Sequence, residues 1–170
     1  MEQTIKRNSF ILGFAGALVT LAVYMYMWQA QDYLNPLFNT SIYIYPIFFG
    51  VISQIWARIT MKGNVSFKQV ILAYFICIVL IFLTESVTYY LLLNHIDTNA
   101  KEILLEAWRG INDKSQSNLA QVNVFKEPAF SLSEFALGFA TKTLMFTVPG
   151  LITGLIISKI PRRVSNKIPE

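Results

Sequence analysis

The stretch SFKQVILAYFICIVLIFLTESVTYYLLLNH, Ser66 to His95, decides the fold. Sixteen consecutive residues, Gln69 to Thr84, carry no charge, and Glu85 then stands alone in sequence that stays uncharged through Asn94. At about 1.5 Å per residue, a helix from Phe67 to Leu93 reaches roughly 40 Å, enough to cross a bilayer with tilt or overhang. An acid inside such a span is costly, so it needs a partner.

The rest of the chain has the same character. Of its 170 residues, 54% are hydrophobic and 14% charged, and the mean hydropathy is +0.47. A soluble domain carries nearer a quarter charged residues. The length permits one domain, and its apolar residues fall into four blocks, each close to the span of a bilayer helix. They are residues 10–28, 42–59, 67–93 and 134–158. The second reads as short and frayed by Gln54 and Arg58. Ser66-x-x-Gln69 and Ser131-x-x-Glu134 have capping-box spacing, and Pro161 closes the last block. The first block, with Lys6 and Arg7 before it, reads as a retained helix and not a cleaved leader. Tyr24, Tyr26 and Trp28 occupy the place where small residues precede a cleavage site. The predicted fold is an all-α integral membrane protein with four transmembrane helices.

Charge sets the orientation. Lys6, Arg7, Arg58, Lys62, Lys68, Lys159, Arg162, Arg163 and Lys167 gather on one side, nine against the four of the other, Lys101, Arg109, Lys114 and Lys126. The positive-inside rule then places both termini in the cytoplasm. This sorting accounts for the net charge of +4, so the excess gives no sign of a nucleic-acid partner.

The long outer loop, residues 94–133, contains an amphipathic segment at about 98–110. Ala100, Ile103, Leu104, Ala107, Trp108 and Ile111 follow the helical i, i+3, i+4, i+7 rule. Asp97 or Thr98 can cap it and Gly110 can help to end it. It is expected to lie along the membrane surface with Trp108 at head-group level. Residues 113–128 read as polar and irregular.

Glu85 finds its partner in the fourth block. The only other charge well inside an apolar span, away from its ends, is Lys142. In antiparallel helices both lie outward of the midplane, by roughly 7 and 6 Å at the helical rise. A Glu85–Lys142 ion pair between helices three and four is therefore expected. Thr88 and Tyr89, one turn on from the acid, are the expected donors to its remaining lone pairs, and Thr141 and Thr143 flank the lysine. The pair either staples two helices or lines a polar cavity for an ion, a proton or an anionic head group.

Small residues mark close helix packing. Gly13 and Ala17 in the first helix, and Gly150 and Gly154 after Pro149 in the fourth, have small-x-x-x-small spacing. They suit packing within the bundle, with a homodimer as the alternative, and Pro149 is expected to kink its helix. Tyr and Trp crowd the outer half, which suits an interfacial belt and also stacking on a lipid-linked sugar. Cys77 is a lone mid-helix cysteine, read as a core or lipid-facing residue. His95 has no second ligand, and no phosphate loop, HExxH or nucleophile elbow occurs, so no metal, cofactor or catalytic residues are expected.

The layout resembles a four-helix membrane family of Bacteroidota, domain of unknown function 4199. The resembling features are the basic start and Gly-containing first helix, KGNVSFKQVILAYF (Lys62 to Phe75), NHID (Asn94 to Asp97), the long outer loop and Pro149-Gly150. The resemblance implies an inner-membrane location and a glycosyltransferase partner that uses polyprenyl-phosphate carriers. It implies no defined activity. In outline the chain is also similar to small four-helix proteins proposed to move polyprenyl-linked sugars. Two functions follow as expectations. One is a non-enzymatic accessory or scaffold subunit of an envelope complex. The alternative is a small translocator or binder of a polyprenyl-linked or other anionic lipid, using Glu85 and Lys142.

Overall fold

The structure, a computed structural model, describes residues 2–116 and 128–160, with side chains described through residue 110 and from 128 onward. Five α-helices follow in order: α1 (Glu2–Ala30), α2 (Pro36–Thr60), α3 (Phe67–Leu91), α4 (Thr98–Gln116) and α5 (Leu132–Lys159), with a π-turn at Leu92–Ile96 joining α3 to α4. Four of the helical stretches, Glu2–Ala30, Pro36–Thr60, Phe67–Ile96 and Leu132–Lys159, are long and apolar enough to cross a membrane. The protein is an all-helical, multi-pass membrane protein.

The spans extend beyond the apolar blocks because the sequence supplies caps outside them. Asn35 accepts from the Leu37 amide at 2.9 Å and Pro36 starts α2, a position where a missing N–H costs nothing. The Ser66–Gln69 capping box is complete. At α5 only half of the predicted box forms. Ser131 accepts from the Glu134 amide at 3.4 Å, while the Glu134 carboxylate turns to the Ala129 amide at 3.2 Å. Asp97 caps α4 through the Ala100 amide, at 3.2 Å. Gly110 does not end α4, which continues to Gln116, since one exposed glycine costs a helix only about 1 kcal/mol. The irregular segment predicted for 113–128 lies largely outside the described residues, as do Pro161, Arg162, Arg163 and Lys167.

Helix α3 is the hub, packed against α1, α2 and α5. Its uniform hydrophobicity is what a helix covered on several sides requires. Between lipid-soluble helices the hydrophobic effect gives little drive, so close packing and polar bridges must hold the bundle. Both are present. The Tyr74 ring lies between Gly50 of α2 and Gly150 of α5, where an added Cβ on either would stand 2.4 Å from a ring carbon. Gly13 rests on the backbone of Cys77, which is buried and inert in this role. Gly154 faces Ile71 and Gln54, and Ala17 is buried within the bundle. These small residues thus serve packing inside one chain.

Polar bridges tie α5 to the core. The fully buried Gln54 donates to Gly150 O at 2.8 Å and accepts from Thr153 Oγ1 at 2.7 Å. Tyr74 donates to Phe146 O at 2.9 Å. Arg58 donates to Ile157 O and, at 2.6 Å, to Ile160 O, satisfying carbonyls of the last turn. Gln54 and Arg58 therefore do not fray α2, as their polarity suggested. The helix runs on to Thr60 and uses both to grip α5. Helix α5 likewise continues through Pro149.

Gly50→Ala and Gly150→Ala are each expected to cost about 1–3 kcal/mol, because the Tyr74 ring has no room to retreat between them. Gly138→Ala, whose Cβ would meet nothing within 4 Å, should be neutral or stabilising by about 0.5–1 kcal/mol. Thermal unfolding of the purified protein in detergent separates the two outcomes.

Candidate functional site

Glu85 and Lys142 meet. Lys142 Nζ of α5 donates to Glu85 Oε1 of α3 at 2.5 Å, with side-chain exposures of 27% and 3%. The acid is thus enclosed and the ammonium is only partly so. A second donor comes from α1, the Tyr24 hydroxyl at 3.4 Å, which a scan along α3 alone does not find. Thr88 and Tyr89 do not fill the role given to them. Tyr89 packs its ring on Tyr24, centroids 5.4 Å apart, and Thr88 lines a separate apolar pocket with Tyr24 and Trp28. Thr143 is turned to its own helix, donating to Phe139 O at 2.8 Å. Glu85 Oε2 is consequently buried with no hydrogen-bond partner among the described residues.

The ammonium is held from a second side by Tyr43 of α2, whose ring centroid is 5.4 Å from Nζ and stacks on Phe146 at 6.1 Å. Such a cation–π contact stabilises a charge where water is scarce. The crowding of tyrosines at this end has its reason here. Tyr24 and Tyr33 are buried, and Tyr45 shares a hydrogen bond of 2.5 Å with Thr20. Tyr24 and Tyr89 thus pack around the acid, whereas Tyr26 and Tyr43 stay exposed, at 54% and 47%.

Beside the pair is an open cavity of about 230 Å³ between α3 and α5, lined by Glu85, Ser86, Tyr89, Glu134, Gly138 and Lys142 and closed above by Pro128, Phe130 and Phe135. Glu134, Gly138 and Lys142 are spaced at i, i+4 and i+8, one face of α5. Gly138 leaves the floor of the cavity empty. Neither Glu134 nor Gly138 was singled out from sequence as part of a site, although that spacing to Lys142 was readable. An apolar cavity of about 400 Å³ adjoins it, sharing Ser86 and Phe135 and lined otherwise by residues such as Leu83, Val87, Leu132 and Phe139.

A second polar knot holds the same end together. Asp97 Oδ2 accepts from Tyr33 at 2.6 Å and from Gln31 Nε2 at 2.8 Å, while Oδ1 caps α4. One carboxylate thus joins the α1–α2 turn to the start of α4. Gln31 and the following residues can make this turn because Gln31 adopts φ 51°, a left-handed conformation. Its apolar residues Ala100, Ile103 and Leu104 pack on Tyr24, Met27, Tyr33 and Leu93. Trp108 is half-buried. His95 packs against Tyr90, centroids 5.8 Å apart, and among the described residues no group of three or more metal-ligating side chains occurs.

The chain belongs to the family described as protein of unknown function (DUF4199), whose model matches residues 7–163. No curated protein and no solved structure is matched.

The hydrogen bonds from Tyr33 and Gln31 hold the Asp97 carboxyl below its ordinary range. A depressed carboxyl contributes stability that is present above its unfolded pKa and lost as pH falls through the folded one. Asp97→Ala should therefore cost about 1–2 kcal/mol at pH 7, the scale of a lost cap. The difference from wild type should shrink as pH drops below about 4, the ordinary range for aspartate. Melting temperatures of both proteins across that range check this.

Proposed function

We propose that the protein is a non-enzymatic, multi-pass protein of the bacterial inner membrane that binds the polar head group of an envelope lipid at the Glu85–Lys142 cavity. The observation that carries this reading is the buried, unpartnered Glu85 Oε2 beside a partly exposed ammonium at the wall of an open cavity. A pair that only stapled helices would be dry and fully satisfied, since each unmet buried polar group costs stability. Lys142 has three N–H donors, and with one on Glu85 others remain for a phosphate oxygen, the group shared by phospholipids and polyprenyl-phosphate carriers.

Both termini lie in the cytoplasm in this reading, and the cavity opens in the outer half of the bilayer. Supporting that orientation, Lys6, Arg7, Arg58, Lys62, Lys68 and Lys159 fall at one end of the bundle, as the positive-inside rule requires of the cytoplasmic side. Helix α4 then lies on the outer surface, with Trp108 at head-group depth.

The second reading is an accessory subunit that anchors an envelope enzyme such as a polyprenyl-phosphate glycosyltransferase. The observation on its side is the outer flank of α5, where Leu137, Leu144 and Met145 are 65–73% exposed. In a bilayer such a flank meets either lipid or a partner helix.

The replacement of both charges tests the first reading. Glu85→Leu with Lys142→Leu should fold, because exchanging a buried pair for apolar residues is often neutral or stabilising, and α5 keeps its ties to Gln54, Tyr74 and Arg58. Lys142→Leu alone should cost about 3 kcal/mol by stranding the buried acid. Native mass spectrometry should find lipid on the wild type and little on the folded double variant. If the double variant retains its lipid, head-group binding at this cavity is wrong.

A further inference from the structure

The reading above names a lipid head group, and the charges around the cavity specify which kind. Resting on that reading, we infer that the cavity takes a zwitterionic head group bearing a primary amine, of the phosphoethanolamine class, its phosphate on Lys142 and its ammonium between Glu85 Oε2 and Glu134.

Three features of the site lead there. The first is the orphan oxygen. Glu85 Oε2 is an acceptor, enclosed in a side chain 3% exposed. A phosphate presents only acceptor oxygens at this point and cannot satisfy it, whereas an ammonium or hydroxyl can. The second is the charge balance. The wall carries two carboxylates, Glu85 and Glu134, and the ammonium of Lys142, with the Lys101 ammonium over the lining ring of Phe130, so the charges are already matched. A purely anionic head group would unbalance them, while a group with one phosphate and one amine adds no net charge and answers both signs. The third is the position of Glu134. It stands two turns from Lys142 on the same face of α5, roughly 12 Å along the helix at 1.5 Å per residue, with the empty floor over Gly138 between them. The ring of Phe130 at the roof already carries Lys101 Nζ at 5.7 Å from its centroid, so aromatic faces here accept a cation.

The occupant is a lipid and not free phosphoethanolamine because of the adjoining apolar cavity. Leu83, Val87, Leu132 and Phe139 line it, and Ser86 and Phe135 form the wall shared with the polar one. A cavity with charged side chains in its wall, beside a groove lined by apolar ones between the same two helices, matches the two parts of an amphiphile. The head-group cavity, about 230 Å³, is below the roughly 300–1,000 Å³ of sites that enclose a drug-sized ligand. That size suits a compact head group and leaves the chains in the groove and the surrounding bilayer.

The test uses the full chain in mild detergent, titrated with phosphatidylethanolamine, phosphatidylglycerol and phosphatidylcholine of identical acyl chains and read by native mass spectrometry. Phosphatidylethanolamine should bind roughly tenfold more tightly than the other two, the scale of one additional close charge pair. Glu134→Gln should reduce that preference without abolishing binding. Gly138→Phe should abolish binding of all three, since it fills the floor while a Cβ there meets nothing within 4 Å, and Gly138→Ala controls for the helix itself. Equal or tighter binding of phosphatidylglycerol or phosphatidylcholine, still blocked by Gly138→Phe, would overturn the amine assignment and leave head-group binding standing. Free ethanolamine phosphate displacing the lipid completely at equal concentration would overturn the lipid as occupant. Binding insensitive to both Gly138→Phe and the Glu85/Lys142 double replacement would remove the head-group site altogether.

Discussion

A carboxylate in the apolar stretch of α3 constrains everything around it. Carrying Glu85 into hydrocarbon costs at least about 2.5–3.5 kcal/mol on insertion scales, and the chain offsets this with groups from three other helices. Lys142 comes from α5 and Tyr24 from α1, while Tyr43 of α2 steadies the lysine. Because each donor is on a different helix, the position of the acid fixes the relative depth of all four spans. The tyrosine crowding at this end, the half-exposed ammonium and the cavity beside it are consequences of that one placement.

The ion pair is nevertheless not what holds α5 in the bundle. Gln54, Tyr74 and Arg58 reach from α2 and α3 to three backbone carbonyls of α5 and to that of Ile160 just beyond it, and Asn94 reaches Phe130 O, just ahead of the helix, at 3.2 Å. Backbone carbonyls are acceptors that every helix offers, so such bridges need a polar side chain on one helix only and leave no charge at risk. A chain able to attach a helix in this way has no need of a buried acid as a staple. That redundancy weighs the site towards binding, where charge is the useful property.

How much of this was legible in sequence depends on the range of each signal. The four spans were legible because hydropathy is a local property, as were the Ser66 capping box and the amphipathic α4, whose periodicity is written within a few turns. The span limits were less so. Gln54 and Arg58 looked like interruptions of α2 because a polar residue within an apolar block carries no label for its partner. Their acceptors are backbone atoms about a hundred positions away, and backbone acceptors leave no mark in the sequence. The Glu85–Lys142 contact could be argued because only two charges lay well inside the spans, away from their ends, so elimination replaced spatial knowledge. Tyr24 could not be argued in that way among eight tyrosines. Thr88 and Tyr89 were chosen by helical spacing from Glu85, which gives a shared face but not the direction in which a donor points. Both turned to other contacts.

The proposed ligand class follows from the folded site and not from its most visible charge. From sequence, a lysine in a membrane span suggests an anionic ligand, because Lys142 is the visible cation and Glu85 its counter-ion. Glu134 was assigned to capping by its place after Ser131, and Gly138 had no assignment. In the folded chain the cap is only half made, Glu134 holds the Ala129 amide and lines the cavity that Lys142 also lines, and Gly138 leaves space between them. The local electrostatics then become those of two acids and two bases, Lys142 and, over the Phe130 ring, Lys101. Selectivity in a low-dielectric site follows the sum of charges and the donors left unmet, not the sign of its most conspicuous residue. The acid that seemed to need a partner keeps one oxygen without a donor among the described residues, and the amine of the proposed ligand is a group of the kind it lacks.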